Sequence, residues 1–253
     1  MTASSTGIGY AIAERLAAAG CAVLVHGRGR TRAEDAASRL RAAGGTVEVV
    51  LGDLTDEEAA RAVAARARDW GAEVLVNNAG PFAEHDLEDA DPAAWLAAMD
   101  ANVASAVRLI RVLVPTMRER GWGRIINIGS RAATTPLPNM ITYSAAKAAV
   151  VNMTTALAQH LAGTGITANT VSPGVIVTGS MRHMFEQRAS EQGQPRPWTE
   201  LEPLVLAEYA PNPSGRLGTP GDVAAAVTFL ASPLCGYING INMRVDGGVT
   251  PTP

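Results

Sequence analysis

Apolar residues recur along this chain in two alternating rhythms. Short runs dense in Val, Ile and Leu span residues 21–26, 46–51, 73–77, 124–129 and 166–171, the length and composition of strands buried on both faces. Between them, residues 8–19, 32–43, 56–69, about 92–120 and 142–161 place apolar side chains at helical intervals among good helix formers. In 142–161, for instance, Val150, Met153, Leu157 and Leu161 recur three and four apart with no Gly or Pro between them.

Strands separated by helices cannot pair as hairpins, so they predict parallel pairing, helices over both faces and right-handed crossovers. The expected fold class is α/β, a doubly wound, mostly parallel sheet of Rossmann type, as a single domain over residues 1–253. One stretch breaks the rhythm. Residues 179–217 are polar and Pro-rich, and predict a long substrate loop with Met181, His183, Met184, Phe185, Trp198 and Tyr209 as pocket or lid candidates.

A chain of 253 residues with 47% hydrophobic content can bury one full core. Its net charge of −3, with arginines scattered among acids, gives no electrostatic footprint for nucleic acid. No apolar run reaches membrane-spanning length, and Cys21 and Cys235 are too few for a disulfide framework. A soluble, cytoplasmic protein is expected.

The charge count also isolates one residue. Among 21 basic side chains Lys147 is the only lysine, and it lies four positions after Tyr143 in Tyr143-Ser144-Ala145-Ala146-Lys147. Residues i and i+4 share a helix face, so the ammonium sits beside the phenol and is expected to lower its pKa. Alone, the pair reads equally well as a surface tyrosine lying on a lysine stem. Ser130 shifts the balance, because it follows the strand at 124–129, and open α/β sheets bind ligands beyond the carboxyl ends of their strands.

In order and spacing, Ser130, Tyr143 and Lys147 resemble the Ser…Tyr-x-x-x-Lys set of the short-chain dehydrogenase/reductase family. Thr2-Ala3-Ser4-Ser5-Thr6-Gly7-Ile8-Gly9 resembles its Thr-Gly-x-x-x-Gly-x-Gly loop, with Ala3 at the first glycine, and Asn77-Asn78-Ala79-Gly80 resembles its Asn-Asn-Ala-Gly. Pro173-Gly174-Val175-Ile176-Val177-Thr178 is similar to the segment that packs on the nicotinamide, and Val245-Asp246-Gly247-Gly248 to the terminal strand and turn. The likeness extends over nearly the whole chain. It implies a catalytic set of Asn102, Ser130, Tyr143 and Lys147, and no metal. It also implies a dinucleotide held by Ser4, Ser5, Thr6, Gly7, Ile8, Gly9, Arg28, Asp53, Leu54, Asn78, Ala79, Gly80, Tyr143, Lys147, Pro173, Gly174, Ile176 and Thr178.

The residues add detail to that resemblance. Glycines let the backbone approach a pyrophosphate, and a helix N-terminus offers it free amides. Ala3 restricts positive φ, so the turn is expected to use a conformation that alanine tolerates. In the family this loop follows a central strand, yet only Met1 precedes Thr2, and the sequence is therefore expected to lack upstream residues. After the run at 21–26, Gly27-Arg28 places arginine where an acid would hold ribose hydroxyls, which favours NADP(H) over NAD(H).

The implied reaction is reduction of a ketone, first a 3-oxoacyl thioester, to a secondary alcohol. Ser130 would bind the carbonyl oxygen, Tyr143 would donate the proton, Lys147 would bind the ribose and Asn102 would hold a relay water. Oxidation of a secondary alcohol, sugar or steroid is the alternative, and a non-catalytic nucleotide sensor is the reading from another class. His85 and His183 are candidates for substrate contact or for surface and capping roles. Arg131 meets either an acidic substrate group or an acidic neighbour. The small face of Ala145, Ala148 and Ala149 suits close helix contact, and the resemblance implies a homotetramer or homodimer.

Overall fold

The computed structural model describes residues 1–251. The chain begins with α1 (Gly7–Ala18), β1 (Val23–Gly27), α2 (Arg30–Ala42), β2 (Val47–Leu51), α3 (Glu57–Asp69) and β3 (Val74–Asn77). It continues through α4 (Pro92–Met99) and α5 (Ser105–Arg120), joined by a π-helical turn at Asp100–Ala104, then β4 (Gly123–Ile128), α6 (Ile141–His160) and β5 (Ile166–Pro173). It closes with α7 (Gly179–Glu191), α8 (Trp198–Leu204), α9 (Pro220–Ala231) and β6 (Asn242–Val245).

All strand pairs are parallel, β1 with β2 and β3-β4-β5-β6 in that order. Successive strand residues point to opposite faces, and here both faces are buried. Val25, Val76 and Ile126 pack with Ile12, Leu40 and Val227 of α1, α2 and α9. Their neighbours Leu24, Leu75 and Ile125 pack with Val63, Leu109 and Leu161 on the side of α3, α5 and α6. A three-layer, doubly wound domain follows from this alternation.

β1 and β3 do not pair with each other. Residues 1–4 run between them instead: the Met1 amine donates to Leu24 O (3.2 Å), Thr2 N to Val76 O (3.0 Å) and Ser4 N to His26 O (2.9 Å). The sheet is thus two hydrogen-bonded parts joined by a short extended stub. Within that stub Ala3 departs from expectation. Its φ is +46°, the only positive value at a non-glycine residue among the described residues. The left-handed region costs an L-residue about 1–2 kcal/mol. It is held there by hydrogen bonds on both sides, Ala3 N to His26 Nδ1 (3.1 Å) and Asn78 Nδ2 to Ala3 O (3.1 Å).

Two further segments differ from the sequence reading. Residues 179–217 contain α7, α8 and a π-helical turn at Val205–Tyr209. Trp198, Leu201 and Val205 bury against one another with Phe185 and Tyr209, whose rings meet edge-on at 5.3 Å, so this stretch carries a small core of its own. α9 had no counterpart in the periodicity, although its start is marked: Thr219 caps Asp222 N, and the Asp222 carboxylate accepts from Thr219 N (2.7 Å). Among the described residues no helix is long and apolar enough to cross a membrane, and no cluster of metal-ligating side chains occurs.

Candidate active site

A cavity of about 1060 Å³ opens at the carboxyl ends of β1, β3, β4 and β5. It is lined by Ser5, Thr6, Gly7, Ile8, Gly9, Arg28, Asp53, Leu54, Asn78, Ala79, Gly80, Ser130, Tyr143, Lys147, Pro173, Gly174, Ile176 and Thr178. Two expected residues stand outside it. Ser4 is fully buried beneath the loop, where its hydroxyl accepts from His26 N (2.9 Å) and donates to Met1 O (2.9 Å), so it braces the backbone and does not face a ligand. Asn102 is buried behind Gly80. His85 and His183 do not line the cavity either; His85 is tied by its backbone to Asn139 O, and His183 is exposed.

The loop before α1 is fitted closely to its surroundings. A Cβ at Gly9 would stand 2.1 Å from Ala3 O and 2.7 Å from Asn78 Nδ2, so only glycine lets α1 start so near the turn. Thr6 provides no side-chain cap to α1. The first turn therefore presents amides without a side-chain acceptor at the positive end of a helix, an arrangement that attracts oxyanions. Arg28, Arg30 and Arg32 line the cavity nearby, and Arg28 is exposed with its guanidinium 3.5 Å from the Asp53 carboxylate.

At the other end, Ser130 follows β4 and its hydroxyl accepts from Ala132 N (3.1 Å). Tyr143 and Lys147 share one face of α6. The Lys147 ammonium is buried, donates to Ile128 O (2.9 Å), and lies 5.6 Å from the centre of the Tyr143 ring. Asn102 sits in the π-helical turn, where the i−4 hydrogen bond is displaced. Its Nδ2 donates to Ala98 O (3.0 Å) and Pro81 O (3.3 Å), while its buried Oδ1 has no partner. A Cβ at Gly80 would stand 2.4 Å from that oxygen and 3.3 Å from Lys147 Nζ, which places the three groups together.

The sequence model described as enoyl-(acyl carrier protein) reductase matches residues 2–250. The chain belongs to the short-chain dehydrogenase/reductase family. It is 34% identical over 251 residues to the 3-oxoacyl-[acyl-carrier-protein] reductase FabG of Vibrio cholerae, covering 98% of this chain and 95% of the relative. It is also 34% identical over 252 residues to the D-beta-hydroxybutyrate dehydrogenase of Cupriavidus necator, covering 98% and 95%. Among solved structures, L-sorbose reductase from Gluconobacter frateurii, complexed with NADPH and L-sorbose, superposes with a TM-score of 0.94 at 33% identity, covering 100% of this chain and 96% of that one.

In this short-chain dehydrogenase/reductase the ionisation of the Tyr143 helix differs from the expectation for its sequence. Burial pushes the Tyr143 phenol up, and the Ser130 hydroxyl pulls it only partway back. The lysine moves instead, lowered by burial to about 8. Burial is the leading cause for both groups, and the ammonium donates to the Ile128 carbonyl, 5.6 Å from the centre of the phenol ring.

Sequence reasoning also missed two supports of the loop before α1. The Thr2 hydroxyl accepts from Asn78 N (2.8 Å) and Ala79 N (2.9 Å), fastening the end of β3 to the stub. His26, buried at the end of β1, accepts from Ala3 N at Nδ1, and its Nε2 lies 3.0 Å from Gly52 O. An amide donor on one side and a carbonyl on the other select the Nε2–H tautomer. Burial lowers its pKa to about 4, so it is neutral at physiological pH. The available signal was a histidine inside an apolar strand run, directly before the cavity-lining Gly27-Arg28.

Proposed function

We propose that this protein reduces a ketone to a secondary alcohol with NADP(H). The observation that carries the reading is that Ser130, Tyr143 and Lys147 share one cavity with the uncapped start of α1. The donor set suits a phosphate-bearing dinucleotide: free helix amides for the pyrophosphate, Arg28 for a 2′-phosphate, and Asp53 and Leu54 beside the adenine. The NADPH held by the sorbose reductase relative supports that choice of cofactor. When bound, the cofactor supplies hydride to the carbonyl carbon.

The chain's own residues then act on the oxygen. Ser130 donates a hydrogen bond to it, and Tyr143 gives up its phenolic proton as negative charge develops there, completing the alcohol. A phenol pushed up by burial stays protonated and ready to donate. Lys147 stabilises the phenolate left behind and binds the nicotinamide ribose. Asn102 Oδ1, buried and unpartnered beside Lys147, holds a water that returns the proton.

The test follows absorbance of reduced nicotinamide with a panel of ketones, among them a 3-oxoacyl thioester, and with both cofactors. Turnover with NADPH in preference to NADH is expected, together with a loss of at least 100-fold in kcat for Lys147→Arg, whose planar fork does not fit the buried ammonium site. Cofactor binding without turnover across the panel would favour the sensor reading, and near-normal kcat in Lys147→Arg would remove the role given to the lysine.

A further inference from the structure

Arg131 follows Ser130 directly, is half-buried, and lines the same cavity. Other arginines nearby are engaged: Arg28 with Asp53, Arg188 with Glu84, and Arg182 over the Trp198 ring. Arg30 and Arg32, exposed at the start of α2, line the far end of the cavity without a partner among the described residues, whereas Arg131 is half-buried beside Ser130. Among the described residues its guanidinium has no hydrogen bond, ion pair or ring contact. A guanidinium offers five N–H donors and no acceptor, and one partly withdrawn from water without an anion leaves that capacity unused.

The lining around it explains what is missing. Phe82, Leu137, Met140, Met181, Met184 and Phe185 make this half of the cavity apolar. Asp53 is the one acidic residue along the cavity, and it stands at the opposite end beside Arg28. Among the described residues nothing therefore neutralises Arg131, and a low-dielectric lining strengthens its attraction for an incoming anion.

We propose that Arg131 binds a carboxylate on the substrate, so that the carbonyl compounds preferred by this site are oxo acids. The inference rests on the ketone reduction proposed above. Ser130 and Arg131 are consecutive and line the same cavity, so one small molecule can present its carbonyl to the first and its carboxylate to the second. The bidentate fork of the guanidinium fixes the orientation of the acid and thereby the face of the carbonyl offered for reduction. The surrounding Met and Phe side chains take the apolar remainder.

The experiment measures kcat/KM for 2-, 3- and 4-oxo acids, each against its own methyl ester, in the native protein and in Arg131→Met and Arg131→Lys. In the native protein the best acid is expected to exceed its ester by at least tenfold. In Arg131→Met that ratio falls at least tenfold through KM, with Arg131→Lys between the two. An ester preferred to its acid, or a ratio unchanged by Arg131→Met, overturns the proposal. If neutral ketones are turned over but oxo acids are not, the proposal fails while ketone reduction stands. If no ketone of any kind is turned over, ketone reduction itself fails and the proposal with it.

Discussion

His26 joins β1 and the end of β2 to the loop before α1, and its protonation should unfasten them. The neutral ring accepts from Ala3 N and bonds to Gly52 O. Adding a proton turns Nδ1 into a donor facing the Ala3 N–H, and it places a charge in a buried site. The pKa is lowered from 6.5 to about 4, chiefly by burial. The sign follows from proton counting. Between these two values the unfolded chain binds more protons than the folded one, so stability is fully present above pH 6.5 and is lost as pH falls towards 4. At 1.36 kcal/mol per pH unit, the loss between pH 7.5 and 4.5 is about 2.5 kcal/mol. The perturbation is His26→Asn, whose side-chain oxygen can still accept from Ala3 N but does not titrate. Urea unfolding followed by tryptophan fluorescence, repeated across pH, gives the stability difference between the two proteins. Histidine is expected to lead near pH 7.5, and its advantage to shrink by about 2.5 kcal/mol by pH 4.5. Curves that stay parallel over this range would show that His26 does not titrate with folding and would refute the reasoning.

Gly9→Ala should drive a methyl group into Ala3 O, costing about 1–3 kcal/mol in overpacking and weakening NADPH binding at least tenfold, as read by fluorescence titration; unchanged affinity would mean that the loop relaxes freely. Ala3→Gly should act in the opposite sense, because glycine relieves a left-handed backbone, at the cost of the extra conformational entropy lost on folding. A net gain of up to about 1 kcal/mol is expected, or a melting temperature raised by about 2–4 °C, and a lower melting temperature would contradict the strain assigned to φ +46°.

The alternation of apolar runs with helical periods made the doubly wound architecture legible, because β1, β4 and β5 are buried on both faces and the helices packed over them on one. The Tyr143 to Lys147 spacing was legible for the same reason, since the two lie one helical turn apart. What could not be read depends on contacts between distant segments. His26 is defined by Ala3 on one side and Gly52 on the other, and Thr2 by Asn78 and Ala79, partners that no local pattern names. Residues 179–217 look like a loop by their prolines, but Pro197 stands at the N-cap of α8 and Pro203 is tolerated within a short helix packed on its own core. Spacing placed an ammonium near the Tyr143 phenol, whereas the sign of the pKa shift is set by burial, which outweighs the opposing Ser130 hydroxyl.

The stub at residues 1–4 bridges the two parts of the sheet, and Ala3 within it also lines the cavity. Joint and binding surface are therefore the same few peptide groups. A dinucleotide seated here would act as a rivet, because a ligand that binds only the assembled state adds its binding free energy to the closing of the sheet. By reciprocity, anything that pulls β1 away from β3 weakens the grip on the cofactor by the same factor. The integrity of this sheet and the occupancy of a dinucleotide site here would then form one coupled equilibrium.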